Sequence, residues 1–426
     1  MEIITNIIMG IYGAGANVFL PVVFLFVGLF FRMKFSDALR AGLKAGIGLA
    51  GVSLVTNFMI GTLQPAIEFY AATNAGDRFS IVDIPWSVAA ALPFAMPISV
   101  FLIPAFAILT VILVRFKVFK TLQLSIWDYG QQLMVAGFTY VLTGNMFFGV
   151  AMAFVNFIFT LWLGDRVAPW WSETLGLPGT TSSNETQMGM AFPICWLVNK
   201  VLDLIPALKN NTFNAEKLHE KIGVFGEPAI IGLIVGCFMG IITKQNVTSI
   251  CTMGMGISAS IVLIPHVVKI FLEGVGALTQ AAQMWASNKL GADAEVYIAC
   301  DMAMSIGSPV VITINSLMIP VAVIIALVIP GFRYFPTGLM GGIIYMVGIC
   351  AVYCKDDFIR TFFCSACYVM FFMLLMNYFA PEIAQVYHYF DPTLTGDVTT
   401  PICLDVFTVI MLFIKRLVFY YKKWKV

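Results

Sequence analysis

The run VVITINSLMIPVAVIIALVI, residues 310–329, contains 20 residues and no charged side chain. A helix rises about 1.5 Å per residue, so a helix of this length spans roughly the 30 Å hydrocarbon core of a bilayer. This stretch therefore predicts a transmembrane helix.

The same apolar character extends over most of the chain. Its 426 residues are 60% hydrophobic and 11% charged, whereas about 25% of an ordinary soluble protein is charged. A net charge of +1 leaves no basic surface for a nucleic acid. We expect an all-α polytopic membrane protein with about eleven transmembrane helices, over residues 7–31, 42–63, 98–114, 131–143, 146–163, 223–243, 251–271, 310–329, 338–353, 361–379 and 401–419.

The basic residues predict the orientation of these spans. With the N-terminus outside, nearly all Lys and Arg residues outside the spans lie in inward-facing loops or in the C-terminal tail, and the outward loops hold Arg78, Lys244 and Arg333. Because membrane proteins retain positive charge on the cytoplasmic side, we expect the N-terminus outside and the C-terminus in the cytoplasm.

Two apolar stretches are interrupted by proline and do not read as simple helices. Residues 82–97 contain Pro85, Pro93 and Pro97, and residues 186–206 contain Pro193 and Pro206 together with polar side chains. Helix-breaking residues occur at membrane depth where the backbone faces protein or a watery cavity. We expect re-entrant hairpins or broken helices at both places.

Similar landmarks recur in the two halves of the chain. The sequence 36–48 resembles 246–256, and an aspartate precedes a proline-broken stretch and an Ile-Pro helix in both halves, at Asp83 and at Asp301. The expected topology gives these helices opposite directions, as in transporters whose substrate site lies between inverted repeats. We predict one transmembrane unit over residues 1–426, with repeats at about 1–208 and 222–426 and a cytoplasmic linker at about 209–221.

Polar residues at the broken segments are the candidates for binding an uncharged, hydroxylated ligand. Gln131 and Gln132 begin one span, and Gln supplies both donor and acceptor atoms. Each candidate also has a structural alternative: an aspartate can cap a helix, the Gln pair can mark an interfacial helix start, and the polar run 181–187, which contains Glu185 and Gln187, can be a plain loop. The predicted substrate-binding residues are Asp83, Trp86, Gln131, Gln132, Glu185, Gln187, Asp301 and Ser308.

No motif indicates a self-sufficient catalytic centre, a metal site or a cofactor. The chain has no phosphate-binding loop, nucleophile elbow or paired-histidine zinc motif. Cys364 and Cys367 form a C-x-x-C in an apolar stretch without a second cysteine pair, which does not indicate a zinc site. We therefore expect a transporter subunit and not an enzyme.

Several landmarks in order resemble the membrane subunit, component IIC, of galactitol-type phosphotransferase systems. They include residues 35–48, Trp127, the pair Thr143-Gly144, and the run 319–331. The string Phe225-Gly226-Glu227-Pro228 is the most specific; its Gly226, Glu227 and Pro228 also read as a structural helix start, since Pro is favoured at the first helical position. The chain departs from the galactitol pattern, which has histidines near Gln131 and Glu185.

The resemblance implies a fold, an activity and partners. The family is similar to ascorbate-transporting IIC proteins, which are homodimers with a V-shaped scaffold and a mobile core. It implies uptake of galactitol or a related polyol or sugar through the bacterial inner membrane by an elevator-like motion. A separate IIB protein, supplied by IIA, would phosphorylate the substrate, and family site residues map onto Asp83, Gln131, Glu185, and Asp301 with Ser308. An ion-coupled secondary sugar transporter remains the alternative.

Overall fold

Long apolar helices dominate the computed structural model of this chain. The structure describes residues 16–73, 79–84, 89, 96, 98–123, 126–182, 185–209, 227–290, 295–300, 302–340, 342–392, 394–401 and 404–424. The helices are α1 Ala16–Phe30, α2 Phe35–Thr73, α3 Ser99–Arg115, α4 Ile126–Thr143, α5 Met146–Leu175, α6 Glu185–Leu202, α7 Pro206–Lys209, α8 Pro228–Ile242, α9 Val247–Leu290, α10 Pro309–Val328, α11 Thr337–Met340, α12 Ile343–Cys354, α13 Phe358–Phe390 and α14 Val406–Trp424. A 3-10 helix covers Met302–Gly307.

Each of the eleven predicted spans overlaps one of these helices. Among the described residues, α5, α10 and α13 are long and apolar enough to cross a membrane, and several shorter helices are also apolar. The prediction of a helical membrane protein is therefore confirmed, while the number of crossings stays a prediction.

Of the two arrangements expected at residues 186–206, the structure shows a broken helix. A single helix, α6, runs through Pro193 from Glu185 to Leu202, and a turn then leads to the short helix α7. A re-entrant hairpin does not form there, because the chain does not reverse at Pro193. The break falls instead at residues 203–205, just before Pro206.

Among the described residues, five short strands accompany the helices, and the all-helical prediction omitted them. They are β1 Val82–Asp83, β2 Thr121–Leu122, β3 Thr180–Ser182, β4 Tyr297–Cys300 and β5 Val398–Thr399. Strands of two to four residues are too short to show the alternation that identifies a strand in sequence. Their partners are also remote in sequence, so only the folded chain brings them together.

The strands form two small parallel sheets that connect distant parts of the chain. In one sheet, β1 pairs with β5, and Ile81 bridges to Tyr334. In the other, β4 lies between β2 and β3, with Thr121 opposite Tyr297 and Ser182 opposite Cys300. Each sheet therefore joins a strand from one half of the chain to partners from the other half.

The order of elements is similar in the two halves. Residues 16–202 form a helix pair, a strand, a helix, a strand, a second helix pair, a strand and a helix. Residues 228–424 form a helix pair, a strand, a helix, the bridge at Tyr334, a second helix pair, a strand and a helix. In this second series the 3-10 helix lies between β4 and α10, and α11 lies between Tyr334 and α12.

Glycines allow close packing among α1, α2, α8 and α9. Helix α1 packs on α2, α8 packs on α9, and α2 packs along α9. A methyl group added at Gly236 would lie 2.7 Å from the Cα atom of Gly254, and one added at Gly274 would lie 2.7 Å from the backbone nitrogen of Ala45. Small residues let membrane helices approach until their backbones touch. These four helices form one tightly packed unit.

Candidate functional site

The three-stranded sheet brings three helix starts to one edge. Its strands are parallel, so their carboxyl ends share that edge. Helix α4 follows β2, helix α6 follows β3, and the 3-10 helix followed by α10 comes after β4. The hydroxyl of Ser182, at the end of β3, lies 3.2 Å from the sulfur of Met302. This edge is the candidate site.

Asp165 in α5 holds β2 in place. Its carboxylate accepts hydrogen bonds from the backbone N–H and the hydroxyl of Thr121, at 2.8 and 2.7 Å, and from the N–H of Lys120 at 3.1 Å. On the exposed side, Lys120 forms an ion pair of 2.7 Å with Glu295, just before β4. The hydrogen bond to Glu295 raises the pKa of Lys120, which stays protonated. Buried and exposed contacts together anchor this sheet.

Gln131 and Gln132 lie in the second turn of α4 and have different surroundings. Gln132 is fully buried; its amide accepts a hydrogen bond from the Asn156 amide and donates one of 3.3 Å to the Thr160 hydroxyl. Both ends of the Gln132 amide are therefore engaged by α5. Gln131 is only half-buried. The structure favours a positioning role for Gln132 and leaves Gln131 the more accessible of the pair.

Ser308 is the N-cap of α10. Its oxygen accepts the N–H of Val310 at 3.2 Å, and its hydroxyl donates to Asp356 at 3.0 Å. Asp356 is in the turn between α12 and α13, where burial raises its pKa to about 6 and the Ser308 bond opposes that rise. Asp356 has a left-handed backbone, with φ 56°, as does Lys355. Two such residues in succession make a strained turn beside the start of α10.

Asp83 lies in the other sheet and caps a helix, but a distant one. One carboxylate oxygen accepts bonds from the Tyr334 hydroxyl at 2.7 Å and from the Leu339 N–H at 2.8 Å. The capped helix is α11, about 255 residues along the chain, and not the segment that follows Asp83. A methyl group at Gly338 would lie 2.9 Å from this carboxylate. These contacts favour the structural interpretation of Asp83.

The remaining predicted residues are only partly described. Glu185 and Gln187 lie in the first turn of α6, but their side chains are outside the described part of the chain. Trp86, Asp301 and Gly226 also lie outside it. Glu227 is exposed at the N-cap of α8 without a side-chain cap bond, and Pro228 is the first helical residue.

The structure adds residues that the sequence analysis missed. Asn156 and Thr160 fix Gln132, Asp165 fixes β2, and Asp356 binds Ser308. Asn156 and Thr160 are polar residues one turn apart in the otherwise apolar stretch 146–163, and this spacing was a usable signal. Within the described ranges, no group of three or more His, Cys, Asp or Glu side chains has the arrangement of a metal site.

These features define a class of protein: a helical membrane protein in which several helix starts and buried polar groups lie near the edge of one small sheet. The family model for the sugar-specific permease component of the PTS system matches residues 10–397. This chain belongs to that family and is a sugar or polyol IIC subunit of the phosphotransferase system, a transporter subunit of the bacterial inner membrane.

Relatives with two different names, a permease IIC component and galactitol-specific EIIC components, support this assignment. A protein of Escherichia coli (strain K12) named for a permease IIC component is 25% identical over 376 residues, which are 88% of this chain and 85% of the relative. Galactitol-specific EIIC components of Escherichia coli (strain K12) and of Escherichia coli O157:H7 are each 26% identical over 347 residues, 82% of this chain and 76% of the relatives.

Proposed function

We propose that this chain carries galactitol or a related polyol or sugar across the inner membrane and presents it to a separate IIB protein for phosphorylation. The observation that carries this proposal is the edge of the three-stranded sheet, where the starts of α4, α6 and the segment before α10 come together. The relatives named for galactitol support a polyol.

The chemistry of this edge suits an uncharged, hydroxylated substrate. Gln131 offers an amide that can both donate and accept a hydrogen bond. Helix starts add backbone N–H groups that have no partner within the helix. The proposed ligands are Gln131, Glu185, Gln187, Asp301 and Ser308, with Gln132 in support. We keep Asp83 and Trp86 among the proposed ligands on the sequence argument alone, because both lie at the start of the proline-containing segment that follows β1.

We also propose that the two halves are inverted repeats and that transport is elevator-like. The recurring element order and the pairing of strands between the halves support the repeats. The close packing of α1, α2, α8 and α9 supports a rigid scaffold, against which the other helices would move as a core. The proposal includes a homodimer with its N-terminus outside and its C-terminus in the cytoplasm.

Energy coupling tests the proposed function. Proteoliposomes containing the chain should accumulate phosphorylated substrate only when phosphoenolpyruvate, the general phosphocarrier proteins, IIA and IIB are supplied. Radiolabelled galactitol and a panel of other polyols and sugars would measure this uptake. Accumulation of free substrate on a proton or sodium gradient without IIB would contradict the proposal and favour a secondary transporter.

A matched pair of variants tests the site. Gln131→Ala should weaken substrate binding with little loss of stability, because Gln131 is half-buried. Gln132→Ala should lower stability by about 1–3 kcal/mol, since it leaves the buried Asn156 and Thr160 groups without their partner. Calorimetric binding and thermal unfolding in detergent separate the two effects. Unfolding of Gln131→Ala comparable to that of Gln132→Ala would make Gln131 a structural residue.

A further inference from the structure

Four cysteine thiols meet between α6, α12 and α13. Cys195 lies in α6, Cys350 and Cys354 in α12, and Cys364 in α13, and all four side chains are buried. The sulfur atoms of Cys354 and Cys364 are 3.6 Å apart. The Cys364 thiol also donates to the backbone oxygen of Cys195, at 3.8 Å. The transport reaction proposed above uses none of these groups.

The turn after α12 creates this arrangement. Lys355 and Asp356 both have a left-handed backbone, with φ of 54° and 56°, so the chain reverses within three residues. Asp357 then caps α13 by accepting the Arg360 N–H at 2.9 Å. As a result the second turn of α13 lies against the last turn of α12, and Cys364 faces Cys354. The C-x-x-C motif pairs Cys364 with Cys367 in sequence, but the fold gives it a different near neighbour.

We propose that Cys354 and Cys364 are a redox modification site that forms a reversible disulfide on reaction with a hydroperoxide. A disulfide needs sulfur atoms about 2 Å apart, so the two side chains must approach by roughly 1.5 Å, a movement that side-chain rotation can supply. Cys354 is the more exposed residue of the two, at 8% against 0% for Cys364. It is therefore the sulfur that meets the oxidant first.

The reaction balances with hydrogen peroxide as the oxidant. The Cys354 sulfur attacks one peroxide oxygen, the O–O bond breaks, and a sulfenic acid and one water form. The Cys364 sulfur then attacks the sulfur of that sulfenic acid, the S–O bond breaks, and the disulfide and a second water form. The two sulfurs lose two electrons to the peroxide, and both thiol protons end in water. A small dithiol reverses the reaction by thiol–disulfide exchange.

The disulfide would act on α6 through Asn199. The Asn199 amide donates to both sulfurs, at 3.6 Å to Cys354 and 3.5 Å to Cys364. Its oxygen accepts from Arg360, which also binds Asp203 at 2.8 Å and the Leu208 carbonyl at 2.9 Å. Joining the sulfurs changes the contact that fixes the C-terminal part of α6. The same helix begins at Glu185, so oxidation should also change uptake if the proposed function holds.

Peptide mapping of the full chain in membranes tests the site without any transport assay. After brief exposure to hydrogen peroxide and blocking of free thiols, non-reducing mass spectrometry should find a peptide pair joined through Cys354 and Cys364, and dithiothreitol should release it. Cys364→Ser should abolish the joined pair. Cys251→Ser, which removes an exposed cysteine in α9, is the matched control and should leave the pair unchanged.

Three outcomes would overturn the proposal. The two thiols could stay reduced in correctly folded wild-type protein while Cys251 is oxidised. Cys364 could be joined to Cys195 or Cys367 instead. A tightly bound soft metal, detected by elemental analysis of the purified protein, could occupy the thiols and protect them. Because the mapping uses wild-type protein, a folding defect in a variant does not alter the measured disulfide, and a failure of transport leaves it unchanged as well.

Discussion

Replacing Gly236 by alanine tests the close packing of α8 on α9. The added methyl group would lie 2.7 Å from the Cα atom of Gly254 and would also meet the backbone of Met253. Because these are backbone atoms of a long helix, they cannot move aside as a flexible side chain would. The two helices must separate, or α8 must shift along α9.

The expected loss of stability in Gly236→Ala is obtained by comparison with Gly61→Ala. In the described structure, a methyl group at Gly61 in α2 meets no other atom within 4 Å. Alanine gains roughly 1 kcal/mol over glycine in a helix interior, and this gain applies at both positions. Overpacking costs about 1–3 kcal/mol and applies only at Gly236. We expect the stability of Gly236→Ala to fall about 1–3 kcal/mol below that of Gly61→Ala.

Thermal unfolding in one detergent, followed by size-exclusion chromatography, compares the two variants with wild type. Gly61→Ala should unfold at or above the wild-type temperature, and Gly236→Ala below that of Gly61→Ala. If Gly236→Ala proved at least as stable as Gly61→Ala, the backbones of α8 and α9 could not be in contact. The proposed rigid scaffold would then lose its physical basis.

Three further predictions concern polar and turn residues. Asp83→Ala should lower the unfolding temperature more than Asp83→Asn, because only alanine removes the oxygen that accepts the hydrogen bond of the buried Tyr334 hydroxyl, at a cost of about 1–3 kcal/mol. Asp356 has a folded pKa near 6, raised from 3.8 by burial, so the native state retains a proton that the unfolded state loses. Stability should therefore fall as the pH rises through about 4 to 6, and Asp356→Asn should flatten that dependence in thermal unfolding at stepped pH. Lys117, at the end of α3, has a left-handed φ of 59°, so Lys117→Gly should raise the unfolding midpoint by an amount equivalent to about 0.5–1 kcal/mol; a lower midpoint would show that the lysine side chain contributes more than the strain costs.

Much of the helical architecture could be predicted from local sequence. The run 310–329 becomes α10, Pro309–Val328, nearly residue for residue, because a long uncharged run has few stable alternatives to a membrane helix. The turn Thr143-Gly144-Asn145 separates α4 from α5, with Gly144 at φ 74° and Asn145 capping α5. Helix ends of this kind depend on three or four adjacent residues.

The candidate site was less predictable, because its contacts join residues that are remote in sequence. Gln131 and Gln132 are identical neighbours in the sequence, yet one is half-buried and the other is enclosed by Asn156 and Thr160. Asp83 was predicted to bind substrate, with helix capping as the alternative, and its carboxylate accepts the N–H of Leu339 in α11, in the other half of the chain. Neither outcome depends on the residues next to these side chains.

The sequence by itself determined that the chain is a helical membrane protein and a phosphotransferase IIC subunit. Hydrophobicity acts locally, so each apolar run specifies a helix whatever its neighbours are. Only the tertiary structure decided which segments meet at the edge of the three-stranded sheet. The strands β2, β3 and β4 are too short to be recognised alone, and each is stable because its partners, more than 50 residues away, supply the missing hydrogen bonds. The position of Cys354 against Cys364, and the convergence of three helix starts, follow from that long-range pairing and packing.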